Sequence, residues 1–83
     1  MEILEDVRGI LRDTLQLGGR ADSLAADSPL LGNLPELDSM AVVIVLTALE
    51  ERYGFVVEDD EISADTFATL GSLTRFVSDK LAE

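Results

Sequence analysis

Leu37-Asp38-Ser39-Met40-Ala41-Val42-Val43-Ile44-Val45-Leu46-Thr47-Ala48-Leu49-Glu50-Glu51-Arg52-Tyr53-Gly54 contains the longest apolar run of the chain, with an acidic residue near its start and a glycine at its end. Its β-branched centre, Val42 to Val45, suits a strand as well as a buried helix. The longer window resolves the ambiguity. Val42, Val45, Leu46, Leu49 and Tyr53 recur at helical spacing, and Gly54 supplies a natural stop. A helix from Ser39 to Tyr53 is therefore expected, with these five residues facing the core.

Working outward toward the N-terminus, Gly18 to Asp38 is rich in Gly, Asp, Ser and Pro, which favour turns over regular helix. Leu24, Leu30, Leu31, Leu34 and Leu37 are expected to pin this long loop to the core, and a connection of this length tends to be functional or to contain a short helical turn. Before it, Ile3, Leu4, Val7, Ile10, Leu11, Thr14 and Leu17 repeat every three or four residues, as on one face of an amphipathic helix that Gly18-Gly19 would end. Beyond Gly54, Ser63-Ala64-Asp65-Thr66-Phe67 reads as a capped single turn. Thr69 can then cap a final helix to about Leu81, with Leu70, Leu73, Phe76, Val77 and Leu81 inward. The expected fold is all-α: a small bundle of three main helices and one short helix, with a long loop between the first and second, as one domain over residues 1–83.

Composition removes several function classes. The chain has no Cys, so a disulfide, a thiolate metal site and a cysteine nucleophile are excluded. It has no His, which removes the usual general base near neutral pH and the commonest metal ligand. No catalytic residue and no metal ligand set is expected, and the chain is read as a non-enzyme. A formal charge of -11 repels phosphate backbones, so nucleic acid is a poor partner, while 47% hydrophobic residues supply enough apolar surface to fold. Met1-Glu2-Ile3-Leu4-Glu5-Asp6 lacks a basic leader, and the run Met40 to Leu46 is too short to span a bilayer, so no membrane span is expected and the expected location is cytoplasmic.

Chemistry concentrates where the loop meets the second helix. There the Ser39 hydroxyl should lie beside unpaired backbone N–H groups and the positive end of the helix dipole, a favourable place for a phosphate ester. Taken alone, Asp38-Ser39 before an apolar run reads as a plain helix cap by roughly ten to one over an attachment site, since both residues are preferred caps.

Leu37-Asp38-Ser39-Met40 resembles the (L/D)-D-S-(L/M) attachment motif of the acyl and peptidyl carrier proteins. Asp27-Ser28-Pro29-Leu30-Leu31-Gly32 is similar to that family's loop anchor upstream of the serine. Leu49-Glu50-Glu51-Arg52-Tyr53-Gly54 resembles its L-E-E-x-(F/Y) helix end, and Phe67 and Leu70 fit its third and fourth helices. The resemblance covers essentially the whole chain. It implies that Ser39 takes 4′-phosphopantetheine from coenzyme A in a separate phosphopantetheinyl transferase that uses magnesium, with Asp38 helping to present the serine as well as capping the helix. The thiol that a chain without cysteine needs for thioester chemistry would arrive with that arm. The implied function is an acyl carrier protein, serving acyl ligases, acyltransferases or synthases in fatty-acid, polyketide or other acyl-transfer biosynthesis; an aminoacyl or peptidyl carrier is the alternative. Pro35 to Val43 and the Asp-Asp-Glu-Ile-Ser stretch also look similar to stand-alone bacterial carriers, and a free-standing monomer is expected.

The second helix is apolar over more than one face. Beside its core stripe, Met40, Ala41, Ile44 and Ala48 lie on another side, where fatty-acid-type carriers place acidic residues. Met40, Ala41 and Ile44 are expected to form an apolar docking patch, with Glu50 and Glu51 steering basic partner surfaces; burial under the loop or in self-association is the competing expectation. Val43, Leu46 and Ile62 are candidate lining for a tethered acyl chain. Two rivals come from other classes. Glu58-Asp59-Asp60-Glu61 with Asp22 and Asp27 suggests calcium, but the stretch to Asp65 lacks the central Gly of an EF-hand loop. A helical interaction adaptor without a prosthetic group is the other.

Overall fold

The computed structural model describes residues 2–83; Met1 and the side chains of Glu2 and Asp59 lie outside the described residues. Three α-helices carry the fold: α1 Glu2–Leu15, α2 Ser39–Tyr53 and α3 Leu70–Ala82. Three 3₁₀ turns, Gly18–Ser23, Asp59–Glu61 and Ala64–Phe67, punctuate the connections. The all-α expectation and the position of each main helix agree with this architecture.

Helix ends follow local chemistry. α1 stops at Leu15 because Gln16 adopts a left-handed conformation (φ 55°), and the Leu17 N–H then reaches back to the Arg12 carbonyl at 3.0 Å. Gln16, rather than the Gly18-Gly19 pair, ends the helix. Gly54 (φ 77°) does terminate α2, donating its N–H to the Glu50 carbonyl at 2.7 Å. At the start of α3 the Thr69 and Ser72 side chains each accept the other's backbone N–H at 3.0 Å, a reciprocal cap.

α1 packs on both α2 and α3, whereas α2 and α3 make little direct contact. Val7, Leu11 and Leu15 of α1 meet Ala41, Val45 and Leu49 of α2 and Leu70, Leu73 and Val77 of α3 in one core. The loop contributes Leu24, Leu30, Leu34 and Leu37, all buried, while Leu31 is 43% exposed and does not pin it. Leu81, in the last turn of α3, is likewise exposed.

The long loop is fastened to the head of α3. An isolated bridge pairs Pro29 with Thr69, flanked by Leu30 N–H to the Ala68 carbonyl (2.9 Å) and Leu70 N–H to the Ser28 carbonyl (3.1 Å). Gly71 N–H donates to the Ala26 carbonyl at 2.6 Å, and a Cβ at Gly71 would sit 2.7 Å from that oxygen. Only glycine admits this approach. Gly71→Ala is expected to destabilise the fold by about 1–3 kcal/mol through overpacking, seen as a lower urea midpoint at unchanged slope.

Candidate functional site

Asp38 and Ser39 occupy the junction of loop and α2. Asp38 is extended (φ -103°, ψ -173°), and its Oδ1 accepts the Ala41 N–H at 2.8 Å, so it caps α2. Ser39 follows as the first helical residue, with an exposed side chain. Ala41 and Val42 N–H both go to Asp38, leaving the Ser39 and Met40 N–H groups without a protein acceptor among the described residues. These free donors and the positive end of the helix dipole together favour negative charge beside Ser39. The loop before it is stiffened by an ion pair between Arg20 and Glu36, which holds the Glu36 carboxyl below its ordinary value.

Two clefts open along α2. The first, about 410 Å³, starts at Ser39 and is lined chiefly by Leu31, Leu37, Val42, Ile62 and Phe67. The second, about 460 Å³, continues down the helix between Val43, Leu46 and Thr47 on one side and Val57 on the other, with Glu50 and Glu58 on its lining. Val42 and Ile62 border both. Next to Ile62 in the chain, Glu61 is held by Lys80 of α3, whose ammonium donates to both carboxylate oxygens at 3.0 Å.

The phase of α2 differs from the periodicity reading. Ala41, Val45 and Leu49 are its innermost residues, with Val42, Leu46 and Tyr53 only half-buried against the core. Ala41 is 7% exposed, so it cannot belong to an exposed docking patch. A helix apolar on nearly every side carries no contrast from which to phase it, and the small Ala41 side chain suits the close-packed side. Met40 (72% exposed) and Ile44 (50%) do face outward, and Val43 (61%) joins them. Met40, Val43 and Ile44 therefore form one apolar surface next to Ser39.

The two glutamates at the end of α2 separate in role. Glu51 is exposed, but Glu50 accepts the Val57 N–H at 2.8 Å and braces the chain after Gly54. Residues that periodicity could not find include Gly71, Lys80 and Gln16. A glycine two residues into a capped helix, where it costs about 1 kcal/mol relative to Ala, was the one available signal.

The chain matches the family described as "Phosphopantetheine attachment site" over residues 5–77. It is similar to a holo acyl carrier protein from Nitrosomonas europaea whose solution structure is known, with 64% identity over 100% of both chains and a TM-score of 0.92. No curated protein matches it. Among the described residues no helix is long and apolar enough to cross a membrane. A full-length match at this identity, with a helical bundle that leaves Ser39 exposed at the start of α2, makes the chain a member of the phosphopantetheine-binding carrier protein family.

Proposed function

We propose that Ser39 bears the 4′-phosphopantetheine arm and that the chain carries acyl groups on it as thioesters. The observation that carries this reading is the exposed Ser39 hydroxyl at the start of α2, beside two unengaged N–H donors and the mouth of an apolar cleft. In the loading step Ser39 Oγ bonds to the pantetheine-side phosphorus of coenzyme A. The bond from that phosphorus to the nucleotide phosphate breaks, and the hydroxyl proton leaves to a base of the transferase. Having no His or Cys, the carrier supplies position and the oxygen, while the transferase activates it. When bound, the arm supplies a thiol for thioester formation. Asp38 holds the helix start in place and offers a carboxylate beside the reacting oxygen.

An acyl cargo is supported by the holo acyl carrier protein that this chain resembles over its full length. The clefts support it too, since both are mainly apolar and one begins at Ser39. Ile62 lines both, with Val43 and Leu46 in the second, so an attached chain can leave water between α2 and the segment after it. A phosphopantetheinyl transferase and acyl-handling enzymes are the partners that follow from a carrier of this family.

Met40, Val43 and Ile44 are the surface we assign to these partners, with Glu51 and, in part, Glu50 adding attraction for basic rims. Ile44→Glu is expected to raise the KM for acyl loading about tenfold or more, by placing a charge where an apolar contact is made. Circular dichroism should remain unchanged, since Ile44 is half exposed; unaltered loading kinetics with an intact fold would remove the patch from recognition. The attachment itself is tested by intact mass after incubation with coenzyme A, magnesium and a broad-specificity transferase. Gain of one arm is expected. A well-folded protein that stays unmodified overturns the reading.

A further inference from the structure

The segment from Phe55 to Ile62 walls both clefts, because Ile62 borders each and Val57 and Glu58 line the second. Among the described residues, no backbone hydrogen bond ties this segment to another element; the Glu61 N–H to Glu58 carbonyl bond at 3.0 Å closes only its own turn. Two carboxylates fasten it instead. On the α2 side Glu50 accepts the Val57 N–H at 2.8 Å. On the α3 side Lys80 donates to both oxygens of Glu61, which also receives the Glu58 N–H at 3.0 Å. The Lys80 side chain is only 8% exposed, so its stem is packed against the protein while its ammonium meets Glu61 and, at 3.3 Å, Glu83. Phe55 and Ile62 add apolar packing at the two ends of the segment.

We propose that Lys80 is a positioning residue: by clasping Glu61 it holds the 55–62 wall against the bundle and so sets how well a chain tethered at Ser39 is shielded in the clefts. An ion pair near the surface contributes little to global stability. Here it controls a local opening, because a segment with so few bonds of its own opens independently of the core. The shielding clause rests on the Ser39 assignment; the clasp does not, and it is tested on unloaded protein.

Hydrogen exchange is the first test. In Lys80→Met the amides of Val57 to Ile62 should exchange several-fold faster than in the parent chain, while those of α1 hold; Lys80→Arg, which keeps the pair, should remain close to the parent. Exchange that is unaltered at Val57 to Ile62 overturns the clasp. So does a uniform rise across α1 and α3, which would report loss of global stability instead. The second test follows on loaded protein. An octanoyl thioester in Lys80→Met should react several-fold faster with hydroxylamine, whereas an acetyl thioester, which has no chain to bury, should react at the parent rate. Faster exchange with unchanged octanoyl reactivity overturns the shielding role, as does an arm located by peptide mass on a residue other than Ser39. In that last case the exchange result still decides the clasp.

Discussion

Ser39→Ala is expected to abolish loading completely: after incubation with coenzyme A, magnesium and transferase its intact mass should not change, while the parent chain gains one arm. The effect is all-or-none because Oγ is the bonding atom and alanine offers none. The fold should survive, because Asp38 rather than Ser39 supplies the capping oxygen to the Ala41 N–H. An alanine in the first turn is well tolerated, and the stability change should stay within about 0.5 kcal/mol. Asp38→Ala instead should cost about 1 kcal/mol through the lost cap. The cleft contains a second hydroxyl, Ser63, which makes the control informative. Ser63→Ala should load as the parent does; loading of Ser39→Ala together with failure of Ser63→Ala would reassign the attachment.

The second large effect concerns the floor of that cleft. Phe67 is 1% exposed, the largest fully buried side chain in the chain, and it touches both the core and the first cleft. Phe67→Ala is expected to cost about 3–5 kcal/mol, from lost transfer free energy and the cavity left behind. A domain of this size has roughly 4–12 kcal/mol in total, so a large share of its stability goes. The midpoint of thermal unfolding should fall by at least ~12 °C, measured by circular dichroism at 222 nm. Phe67→Leu keeps most of the volume and should cost less than half as much. A small shift for the alanine variant would mean that the Ala64–Phe67 turn collapses onto the core and fills the space.

Charge enters the design at the pair behind the cleft wall. Glu61 lies below its ordinary 4.5, through the Glu58 N–H first and Lys80 second, and Lys80 lies above its ordinary 10.5, chiefly through Glu61. The signs set the window. The Glu61 contribution is present above 4.5 and lost as pH falls through its lowered value. The Lys80 contribution is present below 10.5 and lost as pH rises through its raised value. Across the neutral range the clasp is fully formed. Tyr53 is also raised, by burial first and by Asp6 second, so it stays protonated there.

Much of this protein was legible before any coordinates. Local signals are enough to place helices: Asp38 and Thr69 cap, Gly54 stops, and the Ser63 turn announces itself, so α2 and α3 begin where their caps predict. The family was legible for the same reason, since the motif that carries the resemblance is made of adjacent residues. Ala41 was misplaced because α2 offers hydrophobic side chains on nearly every face, and periodicity carries no phase when polar contrast is missing. Leu31 and Leu81 were misplaced because hydrophobicity says that a residue can be buried, not that a neighbour exists to bury it.

The helices, their caps and the Leu37-Asp38-Ser39-Met40 motif are written in the chain itself, because each depends on residues a few positions apart. Packing settles which side of α2 faces outward, that Gly71 lies against Ala26, and that Lys80 meets Glu61. Those facts join residues far apart in the chain, and such contacts exist only once loop, turn and helices have packed on one another.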